Sequence, residues 1–209
     1  MDENGWLDCT NPLPMLESLG DEATERKLRL FVCACWQHST LVIRTRERLN
    51  RAVKVAERYA DALVEREDIL DAKSVTCHFL RILQLQFNRS PELRGREPMY
   101  PLLAALMTEE KDGKLRSELQ RVMTRLELHS VGPGLLRDIF GNPFRPLPPR
   151  PEAGAPLAEK IYAGDWALIP YLGEWLQEHG YWSEGEHCLD PNVQHVKGCW
   201  VVDWVTGRE

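Results

Sequence analysis

The sequence lacks long apolar runs, an excess of positive charge and the basic and apolar regions of a signal peptide. No apolar segment approaches the roughly 18 residues that a membrane-spanning helix needs, and the acidic start of the chain does not resemble a secretion signal. The formal net charge of -6 disfavours nonspecific adhesion to nucleic acid or to membranes. We therefore expect a cytoplasmic protein with no membrane partner.

Familiar catalytic motifs are missing as well. The chain contains no glycine-rich phosphate loop, no Gly-x-Ser-x-Gly elbow and no His-Glu-x-x-His helix. These absences favour a non-enzymatic protein. Six cysteines are present, and in a reducing compartment we expect them to be thiols or metal ligands rather than disulfides.

Apolar residues recur at helical spacing along most of the chain, and no long alternation of apolar and polar residues indicates a sheet. The predicted class is therefore all-α, with more than half of the residues helical. Helices are predicted over residues 11–19, 46–63, 69–87, 100–107, 115–128, 135–140, 157–162, 168–178 and 199–205. A further helix, between the first two of these, is predicted to begin with a cap at Asp21.

A proline-rich segment divides the chain. Gly141 stands where a helix C-cap is expected, and five prolines follow within residues 143–151. We predict a helical bundle over residues 1–141, a proline-rich strap over 142–156 and a small helical C-terminal subdomain over 157–209. Phe144 and Ile139 are expected to be buried where the strap meets the bundle.

Four blocks occur in order along the chain: KLRLFVCAC from Lys27, RAVKVAERYAD from Arg51, LLRDIFGNPFRP from Leu135 and HVKGCWVVD from His195. Together they resemble an uncharacterised bacterial family with many paralogues per genome, some of which are labelled repeat-companion proteins. The resemblance covers most of the chain. It implies kinship and no particular activity.

Two histidines and two cysteines lie within thirteen residues near the C-terminus, and all four are zinc-ligand types. His195 and Cys199 are four residues apart, a spacing that can place both on one side of a helical turn. A structural zinc ion would suit a subdomain too small to build a large core. The predicted ligands are Cys188, His195, Cys199 and His187, with Cys33 or Cys35 as a long-range alternative to the fourth.

The same residues have a plainer interpretation. Cys199 could be a small buried residue beside Trp200, with both histidines at a polar surface. Asp203 near His195 and Cys199 also allows a catalytic Cys-His-Asp arrangement in principle.

A stripe of basic residues is predicted along one helical face and could bind phosphates. Because Glu47 can pair with Arg51, an ordinary solvated face is the alternative. The stripe comprises Arg44, Arg48, Arg51, Lys54 and Arg58.

The first functional hypothesis is a non-enzymatic, cytosolic helical protein-interaction or accessory module, with structural zinc as an option. Five of the seven tryptophans fall in the last quarter of the chain, which favours another protein as the partner. One alternative is a nucleic-acid-associated protein that uses the stripe from Arg44 to Arg58. The second alternative is a thiol- or metal-dependent hydrolase centred on Cys199.

Overall fold

The computed structural model describes residues 1–38, 46–87, 106, 114–123 and 131–208. Most of these residues are helical, and within these ranges no strand is present. The all-α prediction is therefore confirmed. The helix predicted at 100–107 lies outside the described residues except for Leu106, as does the end of the helix predicted at 115–128.

The described N-terminal part of the chain forms a bundle of seven helices. They are α1 (Glu3–Asp8), α2 (Pro12–Ser18), α3 (Glu25–Gln37), α4 (Arg46–Ala60), α5 (Arg66–Phe87), α6 (Lys114–Met123) and α7 (Gly132–Phe140). The Asn11 side chain caps α2, and Pro12 follows at the first helical position, as the sequence predicts. Thr24 caps α3. The predicted cap at Asp21 is wrong, because this residue lies in a short 3-10 turn that precedes Thr24.

The C-terminal part forms four more helices: α8 (Ala155–Tyr162), α9 (Ile169–Glu178), α10 (Trp182–Leu189) and α11 (Trp200–Thr206). Three of them match predicted segments, but α10 was not predicted. Its apolar pattern is interrupted at Gly185, where the backbone of α10 packs directly against another helix without a side chain between them. A Cβ at Gly185 would lie 2.7 Å from the Gly173 carbonyl oxygen of α9. The two helices therefore pack closely through this pair of glycines.

The buried apolar side chains form two clusters. One is built by the bundle helices, and the other by residues 158–205 of the C-terminal subdomain. Val196 belongs to the bundle cluster although it lies in the C-terminal part of the sequence. The loop before α11 is thus inserted into the bundle, while the predicted domain boundaries stay a prediction.

The strap contacts both parts through polar groups. Ile139 is fully buried, which confirms its prediction, but Phe144 is 40% exposed and its predicted burial is wrong. Asn142 donates to Glu3 Oε1 at 2.8 Å, and Trp204 Nε1 donates to the Pro148 carbonyl at 3.1 Å. Hydrogen bonds with α1 and α11 therefore hold this segment where an apolar anchor was expected.

A buried ion network joins the bundle to the subdomain. Arg26 of α3 binds both carboxylate oxygens of Asp203 on α11, at 2.7 and 3.1 Å. It also donates to Asp61 at 3.2 Å and to the Tyr162 hydroxyl at 2.8 Å. Lys197 Nζ lies 2.9 Å from the other Asp61 oxygen, an electrostatic contact without hydrogen-bond alignment. The network fixes one side of the subdomain against α3.

Candidate metal centre

Four side chains from three separate segments converge on one point. Asp138 comes from α7 in the bundle, His187 from α10, and His195 and Cys199 from the loop before α11. Each offers one ligand atom, and these atoms all lie within 4.8 Å of one another. The group therefore spans the boundary between the bundle and the subdomain.

The loop that carries His195 and Cys199 is a tight turn instead of a helix. Cys199 N donates to the Val196 carbonyl at 2.9 Å, and Gly198 adopts a φ of +93°. A Cβ at Gly198 would lie 2.9 Å from Leu30 Cδ1 on α3. Glycine thus allows the turn to approach the bundle closely enough for both ligand candidates to face Asp138.

Four of the six distances among these atoms are close to those of a tetrahedral zinc site. With zinc–ligand distances of about 2.0–2.3 Å, the edges of such a site are about 3.3 Å between N and O and about 3.6 Å between N and S. Asp138 Oδ1 lies 3.1 Å from His187 Nε2 and 2.9 Å from His195 Nδ1. Cys199 Sγ lies 3.6 and 3.7 Å from the same two nitrogens.

The second carboxylate oxygen of Asp138 is also engaged. Val196 N donates to Oδ2 at 2.8 Å, which fixes the orientation of the carboxylate. Burial alone would raise the pKa of Asp138, but hydrogen bonds from His187 and His195 outweigh it and the pKa is lowered. Asp138 is therefore a buried carboxylate held in its charged form.

Cys199 is completely buried, and burial together with the nearby Asp138 charge raises the pKa of its thiol well above the usual range. A cation at the centre would reverse this effect, because metal ions stabilise the thiolate. A substrate could not reach Sγ in this arrangement, since Cys199 does not line the neighbouring cleft. The geometry therefore suits a ligand better than a nucleophile.

The structure brings together three of the predicted ligands, His187, His195 and Cys199, and adds Asp138. Cys188 follows His187 on α10 but does not belong to the converging group; it is buried in the subdomain cluster, and burial raises its pKa to about 12. The long-range alternatives are also elsewhere. Cys33 and Cys35 are both buried in the bundle cluster on α3.

Asp138 was missed because it lies 49 residues before His187 in the sequence and has no other ligand type beside it. A signal was nevertheless present. Asp138 interrupts an apolar helix, between Leu136 and Ile139, whose side chains are fully buried. A carboxylate at such a position requires buried partners that donate hydrogen bonds to it.

Asp203 does not take part in the centre. It pairs with Arg26 instead, so a Cys-His-Asp arrangement through Asp203 is not formed. The carboxylate beside the histidines is Asp138.

Only part of the basic stripe can be compared with the structure. Arg44 lies outside the described residues, as does the side chain of Arg48. Arg51, Lys54 and Arg58 are exposed on α4, and Arg51 pairs with Glu47 at 3.3 Å. An acidic side chain therefore neutralises part of the described face, and phosphate binding stays a prediction.

A cleft of about 720 Å³ opens beside the candidate metal centre. Asp138 and His187 lie in its wall, together with Trp6 and Leu7 of α1 and Leu147 of the strap. The subdomain side is formed by residues of α10 and the following loop. The width of the cleft thus depends on how the bundle and subdomain are joined.

Comparison of the chain with models of protein families, with curated proteins and with solved structures found no match. The family resemblance of the sequence blocks therefore stays a prediction. Among the described helices, none combines the length and apolar character that crossing a bilayer requires.

Proposed function

We propose that this protein is a non-enzymatic helical interaction or accessory module in which a structural zinc ion joins the C-terminal subdomain to the bundle. The convergence of Asp138, His187, His195 and Cys199 supports this proposal most directly. Two imidazoles, one thiol and one carboxylate form a donor set that favours zinc over calcium or magnesium.

A structural role follows from the number of ligands. Four protein ligands fill a tetrahedral zinc ion, whereas catalytic zinc keeps one position for water or substrate. Asp138 belongs to the bundle, and the other three ligands belong to the C-terminal region. An ion at this point would therefore stabilise the contact between the two parts more than either part alone.

The zinc content of protein purified without chelators tests the proposal. We expect about one equivalent of zinc in the wild-type chain, and a loss of most of it in Cys199→Ser and Asp138→Ala. Cys188→Ser is the matched control: it removes a neighbouring buried thiol that lies outside the converging group, and it should retain the metal.

Two results would contradict the proposal. If wild-type protein contained less than about a tenth of an equivalent of zinc, the four residues would be only a hydrogen-bonded cluster around Asp138. Equal metal loss in Cys188→Ser and Cys199→Ser would show that the ligands are not the four that converge. Visible absorption of the cobalt-substituted protein would then report the number of thiolate ligands.

A further inference from the structure

The cleft beside the candidate metal centre is lined by one acidic residue that is largely buried. Glu184 of α10 is only 9% exposed and lines the cleft. Among the described residues, no hydrogen-bond or ion-pair partner accompanies its side chain. Its carboxylate oxygens are not among the fully buried polar atoms that lack a partner, so they reach the solvent of the cleft. A ligand in the cleft would cover them and would therefore need to supply a donor or a positive charge.

The two arginines that line the cleft bind groups other than Glu184. Arg137 donates to the carbonyl oxygens of Trp6 and Cys9, at 2.8 and 2.6 Å. Arg145 pairs with Glu3. Both arginines are therefore engaged within the bundle and strap.

The subdomain wall carries further negative charge. Glu186 is exposed and lines the cleft on the same helix as Glu184, and Asp190 follows at the end of α10. Among the described residues, the Asp190 side chain accepts hydrogen bonds from Asn192 and has no paired cation. The acidic side chains of the cleft that have no paired cation thus come from α10 and its C-terminal end.

Two exposed leucines form part of the bundle and strap side of the cleft, and this pair is called the leucine wall below. Leu7 of α1 is 47% exposed and Leu147 of the strap is 55% exposed, and both line the cleft. Exposed leucines beside a concave surface are typical of binding sites for other molecules. A matching occupant needs an aliphatic side for the leucines and a cationic side for the carboxylates.

We propose that the cleft binds an extended peptide segment in which an arginine or lysine lies next to aliphatic residues, with the basic side chain paired to Glu184. This inference rests on the proposed interaction function and specifies its partner. The leucine wall would contact the aliphatic side chains of the peptide, and Glu186 would add long-range attraction at the rim.

The test measures binding of a fluorescein-labelled Leu-Ala-Arg-Ala-Leu peptide to the full chain by fluorescence anisotropy. The wild-type protein should bind it at least about tenfold more tightly than the counterpart with glutamate in place of arginine. Glu184→Gln should weaken binding about tenfold or more, because it keeps the side-chain shape and removes the charge. Glu174→Gln, on α9 outside the cleft, is the matched control and should bind as the wild type does.

A variant of the leucine wall tests the contribution of the apolar contacts. Leu147→Ser should also weaken binding of the peptide, but it should leave the preference for arginine over glutamate intact. Equal affinity of Glu184→Gln and the wild type would overturn the proposal, as would equal affinity for the two peptides. An affinity for agmatine as high as for the peptide would overturn it too, because the leucine wall would then contribute nothing.

Zinc content of each variant separates this inference from the proposed function. Glu184→Gln should retain its zinc while losing the peptide, because Glu184 does not belong to the converging ligands. Peptide binding by a protein that contains no zinc would contradict the metal proposal and support the cleft. Zinc binding without peptide binding would contradict the cleft and support the metal.

Discussion

Replacing Arg26 with methionine should destabilise the contact between the bundle and the subdomain more than any exposed charge could. Arg26 forms a bidentate pair with Asp203 and a further contact with Asp61. The side chains of these two aspartates are only 2% and 5% exposed. Arg26→Met leaves Asp203 buried without its cation, while Asp61 retains Lys197.

The expected loss in the free energy of unfolding is about 3–5 kcal/mol, the range for removing one partner of a buried ion pair. Arg208→Met is the matched control. Arg208 also contacts Tyr162, but it pairs with Glu159, whose side chain is 49% exposed. A solvent-exposed pair contributes less than about 1 kcal/mol, so the control should change stability little. Urea denaturation followed by circular dichroism measures both variants.

The effect should also depend on pH. Burial raises the pKa of Asp203, although Arg26 opposes the shift, and the pKa should rise further without Arg26. An aspartate whose folded-state pKa exceeds its unfolded value of about 3.9 binds more protons when folded, so stability increases as pH falls through that raised value. The difference between Arg26→Met and the wild type should therefore shrink as the pH is lowered from 7 towards 4. A loss below about 1 kcal/mol, or a difference that does not change with pH, would refute the reasoning.

Two further predictions concern the segment at the end of α7. Gly141→Ala should cost at least about 2 kcal/mol, because Gly141 has a φ of +68° and its Cβ would lie 3.0 Å from the Trp200 ring. Gly164→Ala, which also has a positive φ but no atom within 4 Å of its Cβ, should cost less, and equal losses in thermal unfolding would exclude the ring contact as the cause. Phe144→Ala should cost less than about 1 kcal/mol and Ile139→Ala about 2–5 kcal/mol, because only Ile139 is buried. The opposite order in urea denaturation would contradict this.

The sequence alone predicted the helical class and part of the candidate metal centre. Periodic apolar residues predicted helices such as α4 and α9, because a helix that packs on a core needs one continuous apolar face. The four-residue spacing of His195 and Cys199 correctly placed two zinc-ligand types together, although a glycine-containing turn brings them together where a helical turn was considered. Local patterns therefore predicted features that local geometry determines.

Features determined by contacts between distant segments were not predictable in this way. Helix α10 pairs with α9 through Gly173 and Gly185, and glycine at a close contact has no apolar signature in the sequence. Asp138 meets the histidines only after α7 and α10 pack, and Cys188 was favoured over it by proximity in sequence alone. The strap was expected to dock through Phe144, but polar groups hold it instead.

Lys197 links the two polar contacts that hold the subdomain. It stands between His195 and Cys199 in the turn at the candidate metal centre, and its ammonium group contacts Asp61 in the Arg26 network. Any change in the turn therefore alters both contacts, because one short backbone segment positions the ligands and the lysine together. A subdomain of about fifty residues can bury little apolar surface by itself. The polar groups on either side of this turn thus determine whether the subdomain remains attached to the bundle. They thereby also determine the shape of the cleft.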